Sequence, residues 1–385
     1  MNNKKTILIF CDDMHIGGVN SVVYNLINII PKEEYAITLM LCRKEGEFLK
    51  YIPDYVRIIT PPYKKGMDVS FGFSFLIKQK IKQKKYFTAL RLFLGKFFNC
   101  NLLLTKLLFE KQSIKYDYLF YLKSANVFFS FVFEYIYSFE KKYIWLHSEG
   151  LLQKEKYNKS LNKYDFIFCV SNELAKKAKK VYEDLSDKMS TLYIPMDVRN
   201  ILNLSNGDGF KDNYNGCRIL SVGRLVYLKG FDIAIKTCKI LVDKGYDINW
   251  YIVGDGYEKE KLSSLIKENN LEKNFILLGE KENPYPFFKE CDIYVQSSRS
   301  EGYCLTLAEA KIFNKPIVTT VFPGTYEQIK DNETGIIVET TPECIASGVQ
   351  KLLDNKELRE KLINNLKIEN QKPKPDYFAE LKKYL

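Results

Sequence analysis

Short, continuously apolar runs recur along this chain, and helical stretches separate them. Residues 5–10, 35–42 and 56–60 read as strands at the start, with a loop, CDDMHIGGVN, and a helix over 21–30 after the first. Residues 118–121, 143–147, 165–170 and 191–194 continue the series. From Arg218 the alternation begins again: ILSVGR, WYIVGDG, FILLGE, DIYVQSS and PIVTT each precede a helical pattern or a turn. A strand that is apolar on both pleat faces must be covered on both, which helices do in parallel α/β sheets. The expected fold class is therefore α/β, with two doubly wound, Rossmann-like domains. Such sheets present their ligand side at the C-terminal ends of the strands.

The expected organisation is an N-terminal domain over 1–204 and a linker over 205–215, which is rich in Gly, Asn and Asp. A second domain follows over 216–370. Pro373 and Pro375 then separate a final segment, 371–385, which ends in a short helix. Two further helical regions are expected over 71–115 and 126–139. A length of 385 residues suits two or three cores rather than one.

Nine cysteines are scattered without a C-x-x-C pair, and there are only two histidines. Neither a zinc site nor a disulfide scaffold is expected, and a reducing cytoplasm suits the thiols. No cofactor and no metal are expected. The N-terminal apolar run is too short for a signal peptide, and no uncharged apolar stretch is long enough to span a bilayer. The net charge of +11 favours an anionic partner. Nucleic acid is not expected, because no zinc finger or RNP-type run accompanies the charge.

Candidate site residues cluster at predicted strand ends. Gly17 and Gly18 follow the first strand; they either form a plain turn or let backbone N–H groups approach a bound group. No full dinucleotide motif is present. In VGRLVYLKG, Arg224 and Lys229 follow a strand end, where a guanidinium fork and a mobile ammonium suit a diphosphate and the charge left when its substituent departs. In RSEGYCLTLAEA, Glu301 ends a loop and Glu309 lies in an apolar helical run. Glu309 either pairs with a core cation or accepts the two hydroxyls of a ribose. Gly302, Tyr303, Cys304 and Leu305 lie where a helix start offers N–H groups to phosphates. His147 sits at a strand end, either satisfied structurally or touching substrate; His15 shares the same side.

The stretch 78–98 is basic and aromatic. Lys78, Lys80, Lys82, Lys84, Lys85, Arg91 and Lys96 interleave with Phe87, Leu90, Leu92, Leu94, Phe97 and Phe98. Its apolar side either belongs to the domain core or meets an anionic membrane surface. In the second case the protein would lie peripherally on the inner face of the plasma membrane.

The ordered set VGRLVYLKG, IVGDG and EGYCLTLAEA, together with Gly17-Gly18, resembles the family 4 glycosyltransferases. These are retaining enzymes of GT-B architecture, with two Rossmann-like domains facing across a cleft. The resemblance runs nearly end to end and is closest to the bacterial polysaccharide and capsule type. It implies transfer of a sugar from a nucleotide-sugar donor, UDP-linked, to a growing or lipid-linked glycan acceptor, without a metal. It places Gly18 under the donor phosphates, His147 beside the transferred sugar, and Arg224 and Lys229 on the diphosphate. Glu301 would face the sugar and Glu309 the ribose. Gly302, Tyr303, Cys304 and Leu305 would fill the loop, and Gly254 and Gly256 would line the nucleotide side. The final helix would return to the N-terminal domain. Val19-Asn20, Met196 and Tyr303 depart from the family pattern, and no D-x-D motif is present. Two alternatives stay open: a nucleotide-sugar epimerase of the same double fold, and a non-catalytic membrane-associated binding protein.

Overall fold

The computed structural model describes residues 4–68, 73–97, 101–122 and 127–385. The chain divides into two compact units. One comprises Met1–Val170, Ala175–Pro195 and Tyr377–Leu385; the other comprises Ser171–Leu174 and Met196–Asp376.

The first unit holds strands β1 (Lys5–Cys11), β2 (Tyr35–Leu41), β3 (Arg57–Ile59), β4 (Lys115–Tyr121), β5 (Ser138–Leu146), β6 (Phe166–Cys169) and β7 (Met189–Thr191). They form one sheet in the order β3-β2-β1-β4-β5-β6-β7, and every pairing is parallel. The second unit holds β8 (Cys217–Val222), β9 (Ile248–Val253), β10 (Phe275–Gly279), β11 (Ile293–Gln296), β12 (Ile317–Thr320) and β13 (Ile336–Val338). Their order is β10-β9-β8-β11-β12-β13, again all parallel. Apolar strands account for both sheets: Ile7, Leu8, Ile9 and Phe10 are wholly buried, as are Ile219, Leu220, Trp250 and Ile252. Strand order reverses beside β1 in one sheet and beside β8 in the other. A ligand crevice opens at such a switch point, outside the C-terminal ends of the strands. The loops after β1 and β4, and those after β8 and β11, occupy these positions.

The expected helical region 71–115 resolves into three helices, Phe73–Lys82, Tyr86–Phe97 and Asn101–Leu108, and β4 begins at Lys115. The first break falls at Lys84, whose φ of 58° leaves the helical region. The expected helix over 126–139 ends at Ile136, and β5 already starts at Ser138. Position 126 itself lies outside the described residues.

The unit boundary falls earlier than the expected 204/205. Asp197 caps the helix Val198–Leu204 by accepting from the Asn200 N–H at 3.0 Å, and Asn283 Nδ2 donates to the Leu204 carbonyl at 2.8 Å, so this helix docks on the second unit. Residues 205–215 are tied down as well. The Phe210 N–H donates to Glu290 at 2.9 Å, Tyr251 Oη to Asp212 at 2.5 Å, and Tyr214 Oη to Asp247 at 2.7 Å. The last residues pack in the first unit: Tyr118 Oη donates to the Leu385 carbonyl, Tyr143 Oη to that of Tyr384, and the Tyr384 ring lies 4.8 Å from that of Phe168. No helix among the described residues is long and apolar enough to cross a membrane.

Candidate functional site

In the second unit the loop after β8 carries Arg224 and Lys229, and the loop after β11 carries Glu301. The two loops are stitched together by backbone. Arg299 N–H donates to the Leu228 carbonyl at 2.8 Å, and Ser297 Oγ donates to that of Lys229 at 3.0 Å. Across this seam Lys229 Nζ meets Glu301 Oε1 at 2.5 Å, with side chains only 17% and 15% exposed. Burial alone would lower the Lys229 pKa, but the Glu301 carboxylate overcomes it and raises the value. Ser298 Oγ donates to the same Glu301 oxygen at 2.8 Å and accepts from Gln296 Nε2 at 2.7 Å. Tyr294 Oη in turn donates to Gln296 Oε1 at 2.6 Å, so a polar relay rooted in β11 fixes the carboxylate. Arg224, on the same loop, is exposed, its charge acts against that of Lys229, and it makes no ion pair among the described residues.

Glu309 projects from the helix Leu305–Ile312. One weak bond reaches it, from Tyr285 Oη at 3.3 Å. Burial, only partly opposed by Tyr285 and Lys229, pushes its carboxyl up to about 7. The helix start is strained: Cys304 has φ 68° without being glycine, and no side chain caps the first turn. Gly302 and Cys304 are buried there, while Tyr303 and Leu305 are half-buried. The IVGDG loop lies against the loop after β8. A Cβ at Gly254, where φ is 149°, would fall 1.9 Å from the Gly223 carbonyl oxygen, and one at Gly256 would fall 2.4 Å from that of Leu225. These two glycines permit close backbone packing beneath Arg224.

In the first unit Gly17 precedes the helix Gly18–Ile29, and a Cβ there would meet nothing within 4 Å. Packing therefore does not require glycine at this position. His147 directly follows β5 and hydrogen-bonds the backbone of Leu122, which follows β4. Its Nε2 is buried without a hydrogen-bond partner among the described residues. Burial lowers its pKa to about 4, so the ring is neutral at neutral pH. His15 is held instead by Glu47 at 3.2 Å and Glu45 at 3.5 Å. Asn20 Nδ2 donates to the His15 carbonyl at 2.8 Å and so braces the same loop. Asp13, His15 and Glu45 bring possible ligand atoms within 4.8 Å of one another. Arg43 already forks between those two carboxylates, at 2.6 Å to Asp13 and 2.8 Å to Glu45.

The structure thus joins Lys229 to Glu301, carries Arg224 on the same loop as Lys229, and holds Glu309 and the 302–305 loop in the same unit. Gly17, Gly18 and His147 lie at strand ends of the other unit. Sequence reasoning missed Gln296, Ser298 and Tyr285. The first two carried a signal, since they are polar residues closing an apolar strand. It also missed Arg299, which grips Asp232 through two bonds of 2.7 Å and lies 4.0 Å over the Tyr227 ring, locking the loop after β11 to the helix Phe231–Asp243.

Residues 211–368 match the family model of glycosyl transferases group 1. The chain is 30% identical over 229 residues to a Campylobacter jejuni N-acetylgalactosamine-N,N'-diacetylbacillosaminyl-diphospho-undecaprenol 4-alpha-N-acetylgalactosaminyltransferase, covering 56% of this chain and 61% of the relative. It is 29% identical over 155 residues to the Staphylococcus aureus capsular polysaccharide biosynthesis glycosyltransferase CapM, covering 37% and 38%. The matches span about half the length of these curated relatives. Among solved structures, a mutant of S. aureus TarM in complex with Fondaparinux, alpha-GlcNAc-glycerol and UDP superposes with a TM-score of 0.71 at 14% identity, covering 99% of each chain. The fold is that of the GT-B glycosyltransferases.

Proposed function

We propose that this chain transfers a sugar from a nucleoside-diphosphate donor, UDP-linked, to a lipid-linked or growing glycan in surface-polysaccharide synthesis, with retention of configuration. The observation that carries this reading is the mostly buried Lys229–Glu301 pair, with the exposed Arg224 on the same loop and without an ion pair among the described residues. A diphosphate offers Lys229 an alternative anion and gives Arg224 its partner. As the sugar leaves, both cations stabilise the charge growing on the diphosphate, in a place where burial makes electrostatics strong. Glu301, released from Lys229 but still held by Ser298, is then available to the sugar hydroxyls. The undecaprenol-linked substrate in the name of the Campylobacter relative and the UDP in the TarM complex support the classes of acceptor and donor.

A thermal-shift screen of nucleotide sugars, followed by mass spectrometry of products with polyprenyl-diphosphate-linked acceptors, tests the reading. Donor-dependent stabilisation and a glycosylated lipid are expected. Conversion of donor into its epimer without acceptor would replace the transfer reading with the epimerase one.

The proposed mechanism needs no divalent ion, because Arg224 and Lys229 supply the positive charge a metal would bring to the diphosphate. EDTA should leave turnover within about twofold, since cationic side chains already fill that electrostatic role. Activity abolished by EDTA and restored by manganese would overturn this part of the account.

Glu309 predicts a pH effect. With its carboxyl near 7, the free protein holds it largely protonated at about pH 6 and ionised at about pH 8. Ribose hydroxyls donate best to the ionised form, so nucleotide affinity should rise across that range. Glu309→Gln should weaken binding about tenfold at the upper end and flatten the rise. The sign for stability is opposite. A carboxyl raised on folding binds its proton more tightly in the folded state. Its contribution is present below the unfolded value and is lost as pH rises through about 7. Glu309→Gln should therefore blunt the fall in melting temperature of the free protein between acid and mildly alkaline pH. A variant binding nucleotide as wild type does at both pH values would remove Glu309 from the ribose.

A further inference from the structure

The helices Phe73–Lys82, Tyr86–Phe97 and Asn101–Leu108 of the first unit each turn one apolar stripe inward, through Leu76, Ala89, Leu92, Leu104 and Leu108. A second apolar set points out. Phe87 is 72% exposed, Tyr86 62%, Leu90 52%, Leu102 52% and Ile81 49%, with Leu94 and Leu103 also exposed. Phe87, Leu90 and Leu94 follow helical spacing, so they share one outward stripe. A helix apolar on both faces and covered on one leaves a surface of the kind that marks an interaction site.

Charge decides the occupant. Residues 69–109 contain eight Lys and Arg and no Asp or Glu, a balance of +8 within a whole-chain excess of +11. Lys78, Lys82, Lys84, Lys85, Arg91, Lys96 and Lys106 are all exposed. The Arg91 guanidinium lies 5.7 Å over the Phe87 ring, which places a cation directly on the apolar stripe. Lys80 is different: it is 2% exposed and its Nζ donates to the Gly66 carbonyl, so it faces the protein. Leu92 faces inward as well. Phe98 lies outside the described residues, and the Phe97 side chain is not among those described. A second copy of the chain would bring like charges together across this face, which opposes self-association. Anionic lipid answers both features, since phosphate headgroups meet the cations while the aromatic and leucine side chains enter the acyl boundary.

We propose that the outward face of these three helices docks on an anionic lipid surface. The proposal stands apart from the transfer reading, because lipid binding is measured without turnover.

The test is sedimentation of the full chain with vesicles of phosphatidylcholine alone and of phosphatidylcholine mixed with phosphatidylglycerol. One variant carries Lys78→Gln, Lys82→Gln, Lys84→Gln and Lys85→Gln; the other carries Phe87→Gln, Leu90→Gln and Leu94→Gln. All seven positions are exposed, so both variants should melt as wild type does. Wild type should partition onto the anionic vesicles, and the lysine variant should lose at least ~100-fold of that partition. The apolar variant should lose at least ~10-fold. Equal partition of wild type onto both vesicle types, or undiminished binding by either variant, would overturn the proposal. So would sedimentation velocity showing a wild-type dimer that the apolar variant converts to monomer while vesicle binding is unchanged.

Discussion

Arg224→Ala and Lys229→Ala are each expected to lower sugar transfer at least ~100-fold, because each removes a cation from the charge that develops on the departing diphosphate. The two variants should differ in their side effects. Arg224 is exposed and has no ion-pair partner among the described residues, so its removal should leave the melting temperature unchanged. Lys229 is mostly buried against Glu301, and its loss leaves that carboxylate with Ser298 as its one partner among the described residues. A lower melting temperature should accompany Lys229→Ala, because a half-broken buried pair is destabilising. Lys229→Arg should recover part of the stability through its charge, but less of the turnover, since a planar fork does not replace a compact ammonium. Steady-state kinetics beside thermal melts checks all three. Wild-type turnover in both folded alanine variants would remove the diphosphate from this place.

The second large effect is structural. Gly254→Ala places a Cβ 1.9 Å from the Gly223 carbonyl oxygen, and it does so at φ 149°, where L side chains are rarely found. The IVGDG loop must then move off the loop that carries Arg224. A loss of at least ~3 kcal/mol in unfolding free energy is expected from overpacking combined with backbone strain. Donor binding should fall with it, because the loops after β8 and β9 are bonded at Leu225 N–H to the Asp255 carbonyl, 2.9 Å. Gly17→Ala is the contrasting case. Its Cβ would meet nothing within 4 Å, so stability should stay within ~0.5 kcal/mol. Lost turnover in a fully stable Gly17→Ala protein would mark the space above Gly17 as one a ligand fills. Denaturant unfolding measures both variants. An unperturbed Gly254→Ala protein would contradict the close packing described for these loops.

Much of the fold was legible because strands buried on both faces must be apolar throughout. ILIF, WYIV and PIVTT could hardly be anything else in a chain with helical spacing between them. Strand β5 was only half legible, since in Ser138–Leu146 the charged Glu140, Lys141 and Lys142 follow Ser138 and Phe139, all exposed or half-buried, and the continuous buried apolar run starts only at Tyr143. Strand β13, only three residues long, gave too short a pattern to separate from a turn. The break at Lys84 was hidden, because a lysine at positive φ is set by packing and not by propensity. The polar stretch 205–215 read as a free linker, whereas Asp212, Tyr214 and Phe210 find partners far along the chain. The site residues were legible one by one. Their pairing was not: Lys229 and Glu301 are 72 residues apart, and only the parallel pairing of β8 with β11 brings their loops together. The relay from Tyr294 through Gln296 and Ser298 was invisible for the same reason, as was the grip of Arg299 on Asp232.

Calorimetric titration of UDP into wild type and into the Arg224→Ala, Lys229→Ala double variant measures whether these two cations hold a diphosphate. Saturable binding to wild type is expected, with a loss of at least ~100-fold in the folded double variant, in keeping with charge-assisted bonds to phosphate. Equal affinity in the two proteins, or no binding of any nucleoside diphosphate to wild type, would contradict the account.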